Sequence, residues 1–296
     1  MSITICNFSN VYGNQPYLEG LRLSGKATWL DLSGISGTDC YCDDEAVAAI
    51  KAGLNKAGVV DAQGIHFIDN GNFHYMSKLW TDMIQEPFTL VVFDHHPDMQ
   101  EPRFGDILSC GGWVKKVLKE NKFINNVVII GAADHLVKEI RSEIASHPTG
   151  ARNDKGAESN EQINLYIAEA NQSCALRNDN ITFICESEIA NHTFHIPHST
   201  STHPLYISID KDVLSPTDAA TNWDQGSLRL EQMKAFIDKF AKNHKIIGVD
   251  ICGERARDFS GDEHHSIQEA DTLNNELNRD LLDFITQQIA RHAVSP

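Results

Sequence analysis

Short runs rich in β-branched residues alternate along the chain with longer amphipathic stretches. Eight runs read as strands: ITIC (3–6), ATWLDL (27–32), IHFID (65–69), LVVFD (90–94), NVVIIG (126–131), ITFIC (181–185), LYISID (205–210) and IIGVDI (246–251). Helical periodicity runs through DDEAVAAIKAGLNKAG (43–58), CGGWVKKVLKEN (110–121), EQINLYIAEANQSCAL (161–176), LRLEQMKAFIDKFAKN (228–243) and ADTLNNELNRDLLDFITQQIARH (270–292). This alternation predicts the α/β class: a mostly parallel sheet covered by helices on both faces, in three α/β/α layers. The polar stretch SHPTGARNDKGAESNEQ (146–162) reads as a loop excursion, because apolar strands resume beyond it. With no internal repeat, one domain over residues 1–296 is expected.

Composition narrows the partners. A chain of 296 residues, 41% hydrophobic and 22% charged, has enough apolar material for a sizeable core. A formal charge of −16 argues against a nucleic-acid backbone or an anionic membrane and mildly favours a cationic substrate, although solubility alone accounts for such a charge. The seven cysteines are an odd set in which only Cys40 and Cys42 lie close together, without C-x-x-C or zinc-finger spacing. Reduced cytoplasmic thiols fit that pattern. The start MSITICNFSN lacks a basic segment followed by an apolar run, and no stretch reaches bilayer length, so a soluble cytoplasmic protein is expected.

Parallel sheets bind ligands beyond the carboxyl ends of their strands, and three strand ends carry chemistry. LVVFD runs into His95, His96, Pro97 and Asp98; if the chain stays extended, Asp94, His96 and Asp98 converge on one side while His95 points away. LYISID continues through Lys211 to Asp212, giving Asp210 and Asp212 the same spacing. IHFID leads across a Gly-containing turn to His74. A lone D-x-D is ordinarily a turn or cap, and a lone histidine an ordinary loop residue. A D-x-H-x-D and a D-x-D after two apolar strands together point instead to metal. Four carboxylates with two imidazoles suit a pair of Mn²⁺ ions better than zinc, which favours more His or Cys.

These motifs resemble those of the manganese ureohydrolases, the arginase, agmatinase and formiminoglutamase superfamily. Asp94-His95-His96-Pro97-Asp98 is similar to their D-x-H-x-D, Ser208 to Pro216 to S-x-D-x-D-x-x-D-P, GNFH (71–74) to G-G-D-H, and GVDICGE (248–254) to a strand ending in D-x-x-E. The resemblance implies an arginase-like α/β/α fold, metal ligands His74, Asp94, His96, Asp98, Asp210 and Asp212, with Asp98 also catalytic, and hydrolysis by water activated between two Mn²⁺ ions per chain. It further implies a trimer or hexamer.

The departures bear on substrate. Alignment on Asp250 puts Gly253 where relatives carry the acid that grips a guanidinium, so Glu254 is the expected substitute, as catalytic and substrate-binding residue; its bland alternative is a surface acid paired with Arg255 or Arg257. Cys110 stands in Ser109-Cys110-Gly111-Gly112, where many relatives have a histidine, and is expected at the substrate. Trp223 and Asp224, on the loop after the D-x-D strand, are further substrate-binding candidates, the indole by stacking on a planar cation. In GAADHLVKE (131–139) only Asp134 and Glu139 are acidic where arginases read an amino group, which argues against L-arginine. The histidine-rich NHTFHIPHSTSTH (191–203) fits no single ligand face and reads as a loop. The expected activity is hydrolysis of a guanidino or formimino C–N bond. Alternatives are a zinc deacetylase-type amidohydrolase of the same fold, against which Asp98 and Asp212 argue, and a catalytically impaired oligomeric relative.

Overall fold

Alternate residues of the central strands belong to opposite hydrophobic layers, which makes the sheet the middle of the molecule. In the strand Phe88–Phe93, Phe88, Leu90 and Val92 join one core and Val91 and Phe93 the other; in Ile124–Ala132, Val127 and Ile129 part in the same way from Val128 and Ile130. A strand apolar on both faces is stable only between two covering layers.

The computed structural model describes residues 1–146, 181–194, 203–261 and 264–293. Its strands are β1 (Ile3–Asn7), β2 (Thr28–Asp31), β3 (Tyr41–Cys42), β4 (Gly64–Asn70), β5 (Phe88–Phe93), β6 (Leu108–Ser109), β7 (Ile124–Ala132), β8 (Ile181–Cys185), β9 (Leu205–Asp210) and β10 (Ile246–Glu254). Eight form one sheet in the order β2-β1-β4-β10-β9-β5-β7-β8, with every pairing parallel. All eight predicted strands are therefore present. The two-residue strands β3 and β6 pair separately and antiparallel.

The helices are α1 (Pro16–Leu23), α2 (Asp44–Lys56), α3 (Met76–Thr81), α4 (Trp113–Glu120), α5 (Asp134–Ser146), α6 (Glu186–Ala190), α7 (Leu230–Ala241) and α8 (Ile267–Ala293). α2, α3, α4 and α5 cover one face; α1, α7 and α8 cover the other. α2 shows why the sequence folds locally: Asp43 caps it by accepting from the Ala46 N–H at 2.8 Å, and Ala46, Ile50 and Leu54 recur every fourth residue as its buried stripe. The helix predicted at 161–176 and nearly all of the loop at 146–162 lie outside the described residues.

Candidate metal centre and cleft

The four central strands of the sheet, β4, β10, β9 and β5, end beside one another, and three of them deliver the predicted ligands. After β4, a one-turn 3-10 helix (Gly71–Phe73), capped by the Asn70 side chain on Asn72 N–H at 3.0 Å, brings in His74. After β9, Asp210 caps a second 3-10 turn (Lys211–Val213), its Oδ1 accepting from Asp212 N–H at 3.0 Å. The capping role of this D-x-D is filled, and Oδ2 of the same carboxylate faces His74 Nδ1 at 3.3 Å.

All six expected ligands come together. His74 Nδ1 also lies 3.2 Å from Asp94 Oδ2 and 3.1 Å from Asp98 Oδ2, while His96 Nδ1 lies 2.9 Å from Asp212 Oδ2 and 3.6 Å from Asp94 Oδ1. Two ligand groups result, His74/Asp94/Asp98 and Asp94/His96/Asp212, and Asp94 belongs to both. Behind the first group, His74 Nε2 is 2.9 Å from Ser208 Oγ, which lies 3.2 Å from Ser77 Oγ, and the carboxylate of Asp250 is buried beside these hydroxyls. A proton on Nε2 directed at Ser208 leaves the Nδ1 lone pair facing the carboxylates, the tautomer a metal requires.

The convergence has a different origin from the one expected. Residues 94–98 do not continue as a strand; Asp98 takes a left-handed backbone (φ 50°), rare for a residue with a side chain. Trp113 holds it there, Nε1 donating to Asp98 Oδ2 at 2.6 Å. His95 does point elsewhere, its Nε2 lying 3.9 Å from Asp224.

Among the described residues, the ion-pair partners of these four buried carboxylates are His74 and His96 alone. Burying four carboxylates together with two imidazoles costs more than a fold sustains unless cations enter or protons stay. Accordingly, burial, reinforced by the neighbouring acids, pushes Asp98 and Asp212 up to about 7 and Asp210 up to about 8. Asp94 is held below its ordinary value: burial opposes this, but contacts with both imidazoles outweigh it. Burial would lower His96, yet Asp212 and Asp94 raise it to about 12. The donor set fits a pair of hard divalent cations.

A pH effect follows for metal-free protein. The folded state keeps protons on Asp98, Asp210 and Asp212 that the unfolded chain releases near pH 3.8, so stability falls as pH rises from there through 7 to 8. His96 adds to the fall above 6.5, whereas Asp94 acts oppositely, only as pH drops below 3.8. In EDTA the melting temperature is expected to decline between roughly pH 5 and 8, while Mn²⁺ raises it by an increment that grows with pH. A melting temperature in EDTA that climbed over that range would contradict the assignment.

Above the ligands opens a cleft of about 360 Å³ walled by Cys40, Tyr41, Gln100, Arg103, Cys110 and Trp223. Trp223 stands edge-on to His96 with ring centres 5.8 Å apart, and its Nε1 donates to Asn72 Oδ1 at 3.0 Å. The indole packs so closely on Gly71 that a Cβ there would come within 2.5 Å of it. Trp223 and Cys110 are thus at the cleft as expected, whereas the Asp224 side chain is 83% exposed and outside it.

Glu254 requires a correction. It is neither at the cleft nor a surface acid: its buried carboxylate pairs with buried Lys211 and accepts from Gln15 Nε2 (2.7 Å), Asn274 Nδ2 (3.0 Å) and Asn278 Nδ2 (2.7 Å). Gly253 is the physical reason. At φ 91° it turns the strand end, and a Cβ there would meet Asp210 Oδ1 at 2.3 Å, so no acid fits at position 253 and the next side chain goes to the lysine. Asp134 is likewise engaged away from the cleft, accepting from Ser187 N–H at 3.1 Å, and Glu139 is exposed on α5. Most of 191–203 lies outside the described residues. The sequence reading overlooked Cys40, Gln100 and Arg103, which sit in irregular segments without periodicity, Tyr41, whose strand is only two residues long, and Lys211, whose counter-charge is 43 residues away.

A family model, described as the arginase family, matches residues 55–254, from α2 to the end of β10 and across every ligand above. The chain belongs to the arginase family. Within it, the chain resembles Bacillus subtilis formimidoylglutamase (12% identity, TM-score 0.57, 96% of this chain and 86% of that one). It also resembles Thermoplasma volcanium agmatine ureohydrolase (12%, 0.56, 99% and 92%) and Streptomyces clavuligerus proclavaminate amidino hydrolase (19%, 0.51, 83% and 70%). At these identities the likeness is one of arginase-family fold. An uncharacterized protein of Thermotoga maritima is 28% identical over 192 residues, 64% of this chain; the match spans 58% of that curated relative's length. No helix among the described residues is long and apolar enough to cross a membrane.

Proposed function

We propose that this arginase-family chain is a single-domain, two-cation hydrolase that cuts a guanidino or formimino C–N bond in a small substrate other than L-arginine. The observation carrying the reading is Asp94, whose Oδ2 faces His74 and Oδ1 faces His96, so that one carboxylate serves two ligand groups. Two divalent ions, Mn²⁺ in this reading, would be held by His74, Asp98 and Asp210 on one side and His96 and Asp212 on the other, with Asp94 shared. Bound, they supply Lewis acidity and lower the pKa of water enough to make it a nucleophile at neutral pH.

The chain's own residues do the rest. Asp98, its Oδ2 fixed by Trp113, takes the proton of the attacking water on Oδ1 and passes it to the departing nitrogen. Trp223 covers the planar head of the substrate and excludes water, while Gln100 and Arg103 meet its tail. With Gly253 closed to any side chain, no acid at that position grips the head, and with Asp134 bound to Ser187, that carboxylate does not read an α-amino group. Assembly as a trimer or hexamer belongs to the same proposal.

The Mn²⁺-loaded protein, incubated with a panel of guanidino and formimino compounds, is expected to release urea, ammonia or formamide from at least one and to leave L-arginine intact. Efficient arginine hydrolysis, or silence across the panel with both ions bound, would overturn the reading.

A further inference from the structure

Two cysteines face each other across the wall of the cleft. β3 and β6 pair Tyr41 with Ser109 and Cys42 with Leu108, so the next register position sets Cys40 opposite Cys110, and Cys110 N–H donates to Cys40 O at 2.9 Å. A hydrogen-bonded antiparallel pair holds its Cα atoms about 5.5 Å apart, inside the ~4.4–6.8 Å span of a disulfide. The two thiols are already hydrogen-bonded to one another. Both are partly accessible and line the cleft, whereas Cys6, Cys42, Cys185 and Cys252 are buried. Cys40 also holds a left-handed backbone (φ 57°), a conformation that a residue with a side chain keeps only where its surroundings impose it.

We propose that Cys40 and Cys110 are a modification site, a dithiol that closes to a cross-strand disulfide by exchange with a low-molecular-weight disulfide. Cys40 attacks first: the Cys110 S–H donated to its sulfur lowers its pKa, while that bond and burial raise Cys110. The Cys40 thiolate displaces one thiolate from the reagent and forms a mixed disulfide. Cys110 then gives up its proton and attacks the Cys40 sulfur, releasing the second. Two protein thiols are oxidised, one reagent disulfide is reduced, and both protons leave on the two small thiols. The bond ties the segment bearing Cys40 and Tyr41 to the one bearing Cys110, both walls of the cleft, beside the metal ligands rather than on them.

The test treats the full-length, Mn²⁺-loaded protein with oxidised glutathione. Expected are the loss of two of the seven thiols, a proteolytic fragment joining Cys110 to Cys40 rather than Cys42 by its fragment ions, and complete reversal by dithiothreitol. Cys110→Ser should stop at a glutathione adduct on Cys40, and Cys40→Ser should leave Cys110 unmodified. Unreacted wild type, a stable adduct without the Cys40–Cys110 link, or a link between another pair each overturns the proposal.

Discussion

Replacing Asp94 by alanine is expected to abolish tight binding of both cations and to lower turnover by about 10³-fold or more, on the order of 4 kcal/mol of barrier. The size follows from sharing: Asp94 is in both ligand groups, so its loss leaves each with an imidazole and fewer carboxylates to balance a divalent charge. Asp212→Ala gives the internal comparison. It strips only the group containing His96, and elemental analysis should return one tightly held ion instead of two. Two ions retained by Asp212→Ala, or an active Asp94→Ala, would mean that the cations sit elsewhere.

Lys211→Met should be the most destabilising change outside the cleft. Lys211 and Glu254 are fully buried and paired, and the carboxylate has three amide donors besides, so removing the ammonium strands a charge with neutral partners only. Breaking such a pair costs about 3–5 kcal/mol, which for a chain of this length lowers the melting temperature by roughly 10 °C. Lys211→Met combined with Glu254→Leu should recover much of the loss, because an apolar pair leaves no uncompensated charge. Glu254→Gln should likewise lower stability without raising KM. A Glu254→Gln protein with unchanged melting but raised KM would return that carboxylate to the substrate.

How much of this was legible in the sequence depends on the distance over which each decision is made. The strands were readable because a strand between two layers, such as Phe88–Phe93, is a continuous apolar run whatever its neighbours. The candidate ligands were readable because Asp94, His96 and Asp98 stand together in sequence where an apolar run ends. α3 was not, since all of Met76–Thr81 is buried, Lys78 included, and no polar face betrays the period. Nor was the fate of Glu254, which turns on one glycine's backbone angle and on a lysine that reads as solvated between two aspartates. The thiol pair rests on strands of two residues each, too short to leave a pattern.

The strand order has a consequence for assembly during synthesis. β9 and β10 lie between β4 and β5 in the sheet, yet they are made more than 100 residues after either. A nascent chain that has emerged as far as β8 therefore holds its sheet in two separated halves, with His74 on one rim and Asp94 on the other. Pairings at such sequence separation form slowly, because loop closure precedes any gain from contact. The centre of the molecule is thus the last part to close, and the amides of Asn274 and Asn278 that secure Glu254 come later still. A ribosome that stalls inside β9 leaves His74, Asp94, His96 and Asp98 already made but neither Asp210 nor Asp212, on a scaffold with an open seam where the six side chains are to converge.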